Sequence, residues 1–107
     1  MIDINILREY FDKDAVFVTE HAAERYRQRE IKTVDVRMAV KSGEIIEQYP
    51  NDYPFPSCLI LGRDGKGRTL HVCMSDEGSC AGIITAYCPD MTSWNEDLKT
   101  RREDNSK

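Results

Sequence analysis

Apolar residues recur at helical spacing in the first part of the chain. Three helices are predicted there: residues 2–11, residues 20–30 with Thr19 as N-cap, and a third helix capped by Thr33 and ended by Gly43. The polar run Asp12-Lys13-Asp14 separates the first helix from the second.

After Gly43 the apolar residues alternate with polar ones, which is typical of strands. Four strands are predicted, over residues 44–49, 57–63, 68–75 and 81–88, followed by a last helix over residues 91–102 that carries Trp94 and Leu98 four positions apart. Short turns between the strands predict antiparallel pairing. The expected fold is therefore α+β: N-terminal helices, a four-stranded and mainly antiparallel sheet with one face open, and a C-terminal helix. Residues 1–102 are expected to form one domain, with a disordered tail over 103–107.

The last two predicted strands carry different side chains on their two faces. The connection between these strands, over residues 76–79, decides which faces match. An odd register places Leu70, Val72 and Met74 with Ile84 and Ala86 on an apolar face, and the polar His71, Cys73, Thr85 and Tyr87 together on the other. An even register mixes the two sets. We expect the odd register, because a sheet covered by helices on one side favours clean separation.

Composition restricts the location of the protein and its partners. No run approaches the ~20 apolar residues of a membrane helix, and the first residues carry acid where a signal peptide carries base, so we expect a soluble cytoplasmic protein. The net charge is −4 and the pI about 5.1. Because nucleic-acid-binding proteins usually have a basic surface, any such surface here must be local. Five basic residues do lie near one another in the sequence: Arg25, Arg27, Arg29, Lys32 and Arg37.

The four cysteines (Cys58, Cys73, Cys80 and Cys88) show neither an export context for disulfides nor the close pairs of a structural zinc site. We expect them to act as small buried hydrophobic residues. Zinc binding stays open as an alternative, since His71 and Cys73 share one face of a strand.

Two polar groups of residues are candidates for chemistry. His21, Arg25 and Arg29 lie four apart on the second helix and form one stripe. That stripe is either a solvated face or a phosphate-binding surface, because arginine grips phosphate oxygens and histidine exchanges a proton near neutral pH. The strand residue His71, with Thr85 and Tyr87, is either a satisfied structural histidine or part of a working site.

These residues resemble one pattern. His21-Ala22 with Arg25 and Arg29-Glu30-Ile31, then residues 43–50, Leu70-His71-Val72, Thr85-Ala86-Tyr87-Cys88-Pro89 and Trp94 are similar to a bacterial family of domains of unknown function. The resemblance runs from Phe17 to Trp94. That family is grouped with the RelE and BrnT-like ribonuclease toxins, within the barnase, colicin and RelE fold group.

The resemblance implies a metal-independent RNA endonuclease of the toxin–antitoxin type, without a cofactor. His21, His71, Thr85 and Tyr87 would be its catalytic residues, and Arg25 and Arg29 its phosphate-binding residues. RNA and a cognate antitoxin protein would be its partners. Glu30 departs from the small residue often seen there, and the low pI departs from the basic character of such toxins. The alternative is a non-catalytic binding module for a small ligand or a protein, to which Tyr53, Phe55 and Trp94 would contribute apolar contact. The oligomeric state stays open.

Overall fold

The structure, a computed structural model, describes residues 1–101. The disordered tail expected over residues 103–107 lies outside the described residues. Three helices and five strands follow one another in the order α1 Ile4–Asp12, β1 Val16–Val18, α2 Glu20–Arg29, α3 Thr33–Ser42, β2 Glu44–Tyr49, β3 Ser57–Arg63, β4 Thr69–Asp76 and β5 Ala81–Tyr87. The fold class α+β is confirmed.

The helix ends follow local side-chain chemistry. Thr19 is the N-cap of α2 as predicted, and its hydroxyl accepts a hydrogen bond from the backbone N–H of Ala22 at 3.1 Å. The N-cap predicted for α3 at Thr33 is wrong by one residue. Lys32 occupies that position, and its backbone N–H donates to the Asp35 carboxylate at 2.9 Å. The capping side chain is therefore that of Asp35, in the first turn of the helix, rather than that of the N-cap residue.

The sheet has five strands rather than the four predicted, in the order β1-β5-β4-β3-β2. Strands β2 to β5 form the expected antiparallel series. The unpredicted strand β1 pairs parallel to β5, which makes the sheet mixed. At three residues, β1 is too short for its alternation to be recognised in the sequence.

One face of the sheet is the hydrophobic core. Val72 pairs with Ile60 on one side and Ala86 on the other, so all three point towards the same face, and all three are fully buried. Helix α3 packs closely there. A Cβ on Gly62 would lie 1.9 Å from the carbonyl oxygen of Ala39, so the absence of a side chain allows the contact.

The other, open face carries the polar residues, and the register that places them differs in part from the prediction. Between Asp76 and Ala81 the connection has an even number of residues, and Met74 pairs with Ile83. Ile84 then forms a β-bulge, after which Cys73 pairs with Thr85 and His71 with Tyr87. The odd register is confirmed beyond the bulge and wrong before it, so Ile83 rather than Ile84 is buried in the core.

The predicted C-terminal helix is wrong. Residues 91–101 form turns, and an isolated bridge joins Trp94 to Arg101. The Asp97 carboxylate accepts hydrogen bonds from the backbone N–H groups of Lys99 and Thr100, at 2.9 and 3.0 Å. Asp90 makes equivalent bonds further upstream. Such side-chain bonds to the backbone compete with the helical pattern. We call residues 94–101 the C-terminal strap.

Each helix in residues 1–101 is too short to cross a membrane. All four cysteines are free. Burial raises the pKa of Cys58 to about 12 and that of Cys73 to about 11, which keeps both as thiols. The expectation of a buried apolar role is confirmed for Cys58 and wrong for Cys88, which is exposed. No group of three or more potential metal ligands occurs in the described part of the chain.

Candidate functional site

His71 lies in the middle of the open face, where it is fully buried. Its Nδ1 lies 3.1 Å from the hydroxyl oxygen of Tyr87, the residue directly opposite on β5. Its Nε2 lies 2.7 Å from the backbone carbonyl oxygen of Leu98. A carbonyl can only accept, so Nε2 carries the ring proton and Nδ1 accepts from Tyr87. The ring is a neutral imidazole with a single tautomer.

Arg29, from the last turn of α2, adjoins the same group of residues. Strand β1 pairs only with residues 81–83 of β5, which leaves the end of β5 without a strand on that side. The Arg29 guanidinium donates to the carbonyl of Ala86 at 2.8 Å and to the hydroxyl of Thr85 at 3.4 Å. It also lies 6.0 Å from the centre of the Tyr87 ring. Arg29 thus holds the sheet edge and places a positive charge beside both hydroxyls.

The C-terminal strap covers His71. The ring of Trp94 meets that of His71 edge to face, at 4.4 Å between centroids, and only 3% of Trp94 is exposed. Leu59 is also buried here, on the open face of β3, outside the main core cluster. The strap therefore forms a small second core with Trp94 at its centre.

Two ion pairs hold the strap to β2. Arg101 donates to both carboxylate oxygens of Glu47, at 3.0 and 3.2 Å, and its guanidinium lies 4.7 Å from the centre of the Trp94 ring. Lys99 pairs with Glu44 at 3.0 Å. A bulge at Ile46 between the two glutamates places both on the open face, since they pair with Leu61 and Leu59 of β3. The Tyr49 hydroxyl donates to Glu47 from the same side.

Burial governs the protonation of the central residues. Desolvation lowers the pKa of His71 below its usual value, against the opposing effects of the Leu98 carbonyl and the Glu47 charge. Burial likewise raises the pKa of Tyr87, although Arg101 and Arg29 oppose the shift. Both groups are therefore neutral near pH 7. In this arrangement a neutral base and a neutral acid are hydrogen-bonded to each other.

The structure brings together four of the six predicted site residues: Arg29, His71, Thr85 and Tyr87. His21 and Arg25 are set apart from them. The N-cap of α2, Thr19, bonds the carbonyl of Ile83, whereas Arg29 bonds that of Ala86, so α2 runs alongside β5. With a rise of about 1.5 Å per residue, His21 lies about 12 Å along the helix axis from Arg29. Within residues 1–101, His21 and Arg25 make no hydrogen bond or ion pair with the other four. The expectation that His21 complements His71 has no support in this geometry.

The sequence prediction missed several residues that surround His71: Glu47, Tyr49, Leu98 and Arg101. Trp94 was recognised only through the resemblance and as an apolar contact. The alternation of Glu47 and Tyr49 indicates a shared face, but no sequence signal pairs Glu47 with Arg101, 54 positions later.

Comparison with known proteins gives one match. No curated protein and no solved structure matches the chain. Residues 18–88, from β1 to just beyond β5, match the domain of unknown function DUF4258. This stretch contains α2 and the four residues that meet around His71, and it ends before the strap. Because the match covers more than half of the chain, the protein belongs to the DUF4258 family.

Proposed function

We propose that this protein is a metal-independent RNA endonuclease of the toxin–antitoxin type. The observation that carries the proposal is the contact of Arg29, His71 and Tyr87, which come from three different elements. Thr85 completes the group through its bond to Arg29. A base, a hydroxyl donor and a fixed cation are what metal-free cleavage of RNA requires.

In the proposed mechanism His71 accepts the proton of the ribose 2′-hydroxyl. The strap leaves first, and the neutral ring then changes tautomer. Its proton is now on Nδ1, which donates a hydrogen bond to the Tyr87 oxygen, and the unprotonated Nε2 acts as the base. The 2′-oxygen attacks phosphorus, and the bond from phosphorus to the 5′-oxygen breaks. Tyr87 gives its proton to that leaving oxygen and recovers one from Nδ1 of His71. The product is a cyclic phosphate.

The two cation positions serve the phosphate. Arg29 and Thr85 stabilise the charge that develops on the phosphorane oxygens, because a fixed donor beside that charge lowers the barrier. Arg25, one turn away on the same helix and half-buried, binds a neighbouring phosphate. His21 lies further along the same helix and takes no part in the reacting bond in this mechanism.

Release of the strap is part of this proposal, since His71 has no access to solvent beneath Trp94. Of the two ion pairs that fasten the strap, that of Lys99 with Glu44 is exposed and contributes only about 0.2–1 kcal/mol. Glu47 is 24% exposed and accepts two hydrogen bonds from Arg101, so this pair contributes more. Release also exposes Trp94, at a cost of about 1.5–3 kcal/mol, and in this proposal the contacts of the RNA strand with the open face offset that cost.

The test compares induced expression in bacteria of the wild type with that of His71→Ala, alongside cleavage of RNA by the purified proteins. His71→Ala should relieve growth arrest and lower the cleavage rate by about 10²–10⁴. The chain has only two histidines, so His21→Ala is the matched control and should keep most of the activity. Tyr87→Phe provides a variant that leaves the imidazole in place, in case His71→Ala fails to fold. Intact RNA after incubation with folded wild type, and with a variant whose strap is loosened, contradicts the proposal.

The second candidate function is a non-catalytic module that binds a protein partner. It is favoured by a group of aromatic residues at the far end of the open face. Tyr53 is 90% exposed, and together with Phe17 and Phe55 it lines a hollow of about 270 Å³. Trp94, expected to share this role, lies buried in the strap instead. On this view the bonds of His71 are structural.

The two functions differ in the effect of Tyr53→Ser. The partner protein to be followed is one that co-purifies with the wild type or is encoded by a neighbouring gene and co-expressed. If Tyr53→Ser no longer binds this partner and His71→Ala binds it fully, the binding module is supported. Growth arrest that depends on His71 and not on Tyr53 supports the endonuclease.

A further inference from the structure

A hollow of about 630 Å³ lies behind α2, on the side away from His71. Its lining combines the end of α2, the connection from α2 to α3 and the turn between β3 and β4, namely Tyr26, Arg27, Glu30, Ile31, Lys32, Lys66 and Arg68. Some of the charges that line the hollow are neutralised within the protein, and others are not.

Arg68 is neutralised within the protein. Its guanidinium pairs with Asp64 at 2.6 Å and with Asp35 at 3.2 Å, and it also donates to the carbonyl of Glu30. Both carboxylates are buried, so Arg68 fixes the wall of the hollow and contributes little net charge to it.

The other three cations are available. Arg27, Lys32 and Lys66 are exposed, and none of them forms an ion pair within residues 1–101. Glu30 supplies the one carboxylate of the lining. Three free cations against one carboxylate give the hollow a local positive charge, although the whole chain carries −4. Like charges held near one another favour an anion between them.

A second, independent feature of the same hollow is an unsatisfied donor. Only 6% of Tyr26 is exposed. Its hydroxyl group is buried and has no hydrogen-bond partner in the described part of the chain. Leaving such a group unpaired is costly, and nearly all buried polar groups in proteins find a partner. An acceptor oxygen that enters the hollow would satisfy it.

We propose that this hollow binds a phosphate group of the RNA strand whose cleavage is proposed above. Phosphate offers several acceptor oxygens and negative charge, which match the free cations and the Tyr26 hydroxyl. Arg27 and Arg29 are two residues apart on α2, which corresponds to a rotation of about 200° about the helix axis, so their side chains leave nearly opposite sides of the helix. A strand held at both positions passes around the end of the helix. The assignment of the phosphate to RNA rests on the proposed function. The binding of an anion rests only on the charge of the hollow and the unpaired hydroxyl of Tyr26.

The experiment measures binding without cleavage. The probe is a fluorescent single-stranded oligodeoxynucleotide, which lacks the 2′-hydroxyl and cannot react by the proposed route. Fluorescence anisotropy gives its affinity for the wild type, for Lys32→Gln/Lys66→Gln and for Lys13→Gln/Lys41→Gln. The last pair removes the same charge near Asp12, remote from the hollow.

Lys32→Gln/Lys66→Gln should weaken binding on the order of tenfold at low salt. It should also make the dependence of log affinity on log salt shallower by about 0.7, the value for the one phosphate that the hollow holds. Lys13→Gln/Lys41→Gln should change neither quantity to that extent. Tyr26→Phe should lower the affinity several-fold and leave the salt dependence unchanged, because it removes a hydroxyl and no charge.

Equal affinities for the two lysine pairs, or a wild type that does not bind the probe, overturn the inference. The cleavage assay separates its failure from that of the proposed function. Normal cleavage by Lys32→Gln/Lys66→Gln with unchanged binding removes the phosphate site and leaves the endonuclease. Binding through the two lysines by a wild type that cleaves no RNA removes the endonuclease and leaves the site.

Discussion

The carbonyl oxygen of Leu98 lies 2.7 Å from Nε2 of His71, on the side of the ring opposite Tyr87. This contact fixes the tautomer of the imidazole and at the same time closes the open face above it. The chemistry of His71 and the position of the strap are therefore coupled, and each can be measured through the other.

Loosening the strap should expose Trp94. Arg101→Gln removes the ion pair with Glu47 and the cation that lies over the indole. We expect a loss of about 1–3 kcal/mol in unfolding free energy, because Glu47 is only 24% exposed and loses two hydrogen bonds. Trp94 is the only tryptophan, so its emission should shift to the red and become easier to quench with acrylamide. If the proposed function holds, RNA cleavage should rise.

The control for this change is Arg37→Gln, which removes an exposed pair with Asp12 away from the strap. It should leave the emission of Trp94 unaltered. An unchanged spectrum for Arg101→Gln would mean that Trp94 is held without the ion pair.

Stability should fall as the pH drops below about 6.5, and His71 should be responsible. Burial lowers the pKa of His71 in the folded state, so the unfolded chain takes up a proton at a higher pH than the folded one does. The free energy of unfolding is therefore highest above the unfolded value of about 6.5, and it declines below that value by at most about 1.4 kcal/mol per pH unit.

Urea unfolding of the wild type and of His71→Gln between pH 5 and 7 measures this effect. Asp12 and Asp64 have lowered pKa values, so the stability they contribute is lost only when the pH falls below this range. His71→Gln should flatten the decline whatever its own stability, whereas His21→Gln should keep it. Parallel curves for the wild type and His71→Gln would contradict the assignment.

Two tyrosines should respond in opposite directions to loss of the hydroxyl. Tyr26 has a buried hydroxyl without a partner, so Tyr26→Phe should raise the unfolding free energy by about 1 kcal/mol. Tyr10 donates to the Asp76 carboxylate at 2.9 Å, and Tyr10→Phe should lower it by about 1 kcal/mol. Chemical denaturation of both variants tests the pair, and a destabilised Tyr26→Phe would show that its hydroxyl has a partner in solution.

The contact of α3 with β3 should not tolerate a methyl group. Gly62→Ala places a Cβ within 3 Å of three backbone atoms of Ala39, so helix and strand must separate at a cost of about 3 kcal/mol or more. Gly65→Ala, in the following turn, meets only the end of the Met38 side chain at 3.7 Å and should change stability by less than about 0.5 kcal/mol. Thermal melts of the two variants measure the difference, and similar melting temperatures would refute the close approach.

Much of the fold could be predicted because its signals are local. Helices α2 and α3 have clear periodicity, and Thr19 is a capping residue next to its helix. The hairpins follow from short turns between alternating segments. Strand β1 escaped prediction because three residues carry too little pattern, and its pairing with β5 spans more than 60 positions. The last helix was wrong because Asp90 and Asp97 bond the backbone nearby, which outweighs the spacing of Trp94 and Leu98.

The candidate site was predictable to the extent that it depends on alternation. The odd register grouped His71, Thr85 and Tyr87 correctly, although for the wrong length of turn. The helical spacing placed Arg29 on the correct stripe of α2. The position of α2 along β5 depends on tertiary packing, which no local pattern predicts, and it places His21 away from the group. The strap depends on contacts such as Arg101 with Glu47, which no local pattern encodes.

The single extra residue at Ile84 has a consequence for the way this sequence can vary. Deleting Ile84 would leave Ile83 opposite Met74 and Thr85 opposite Cys73 in unbroken alternation, so Ala86 would stay in the core and Tyr87 on the open face. Loss of this one residue is therefore a length change that the hairpin can accept while Tyr87 stays opposite His71.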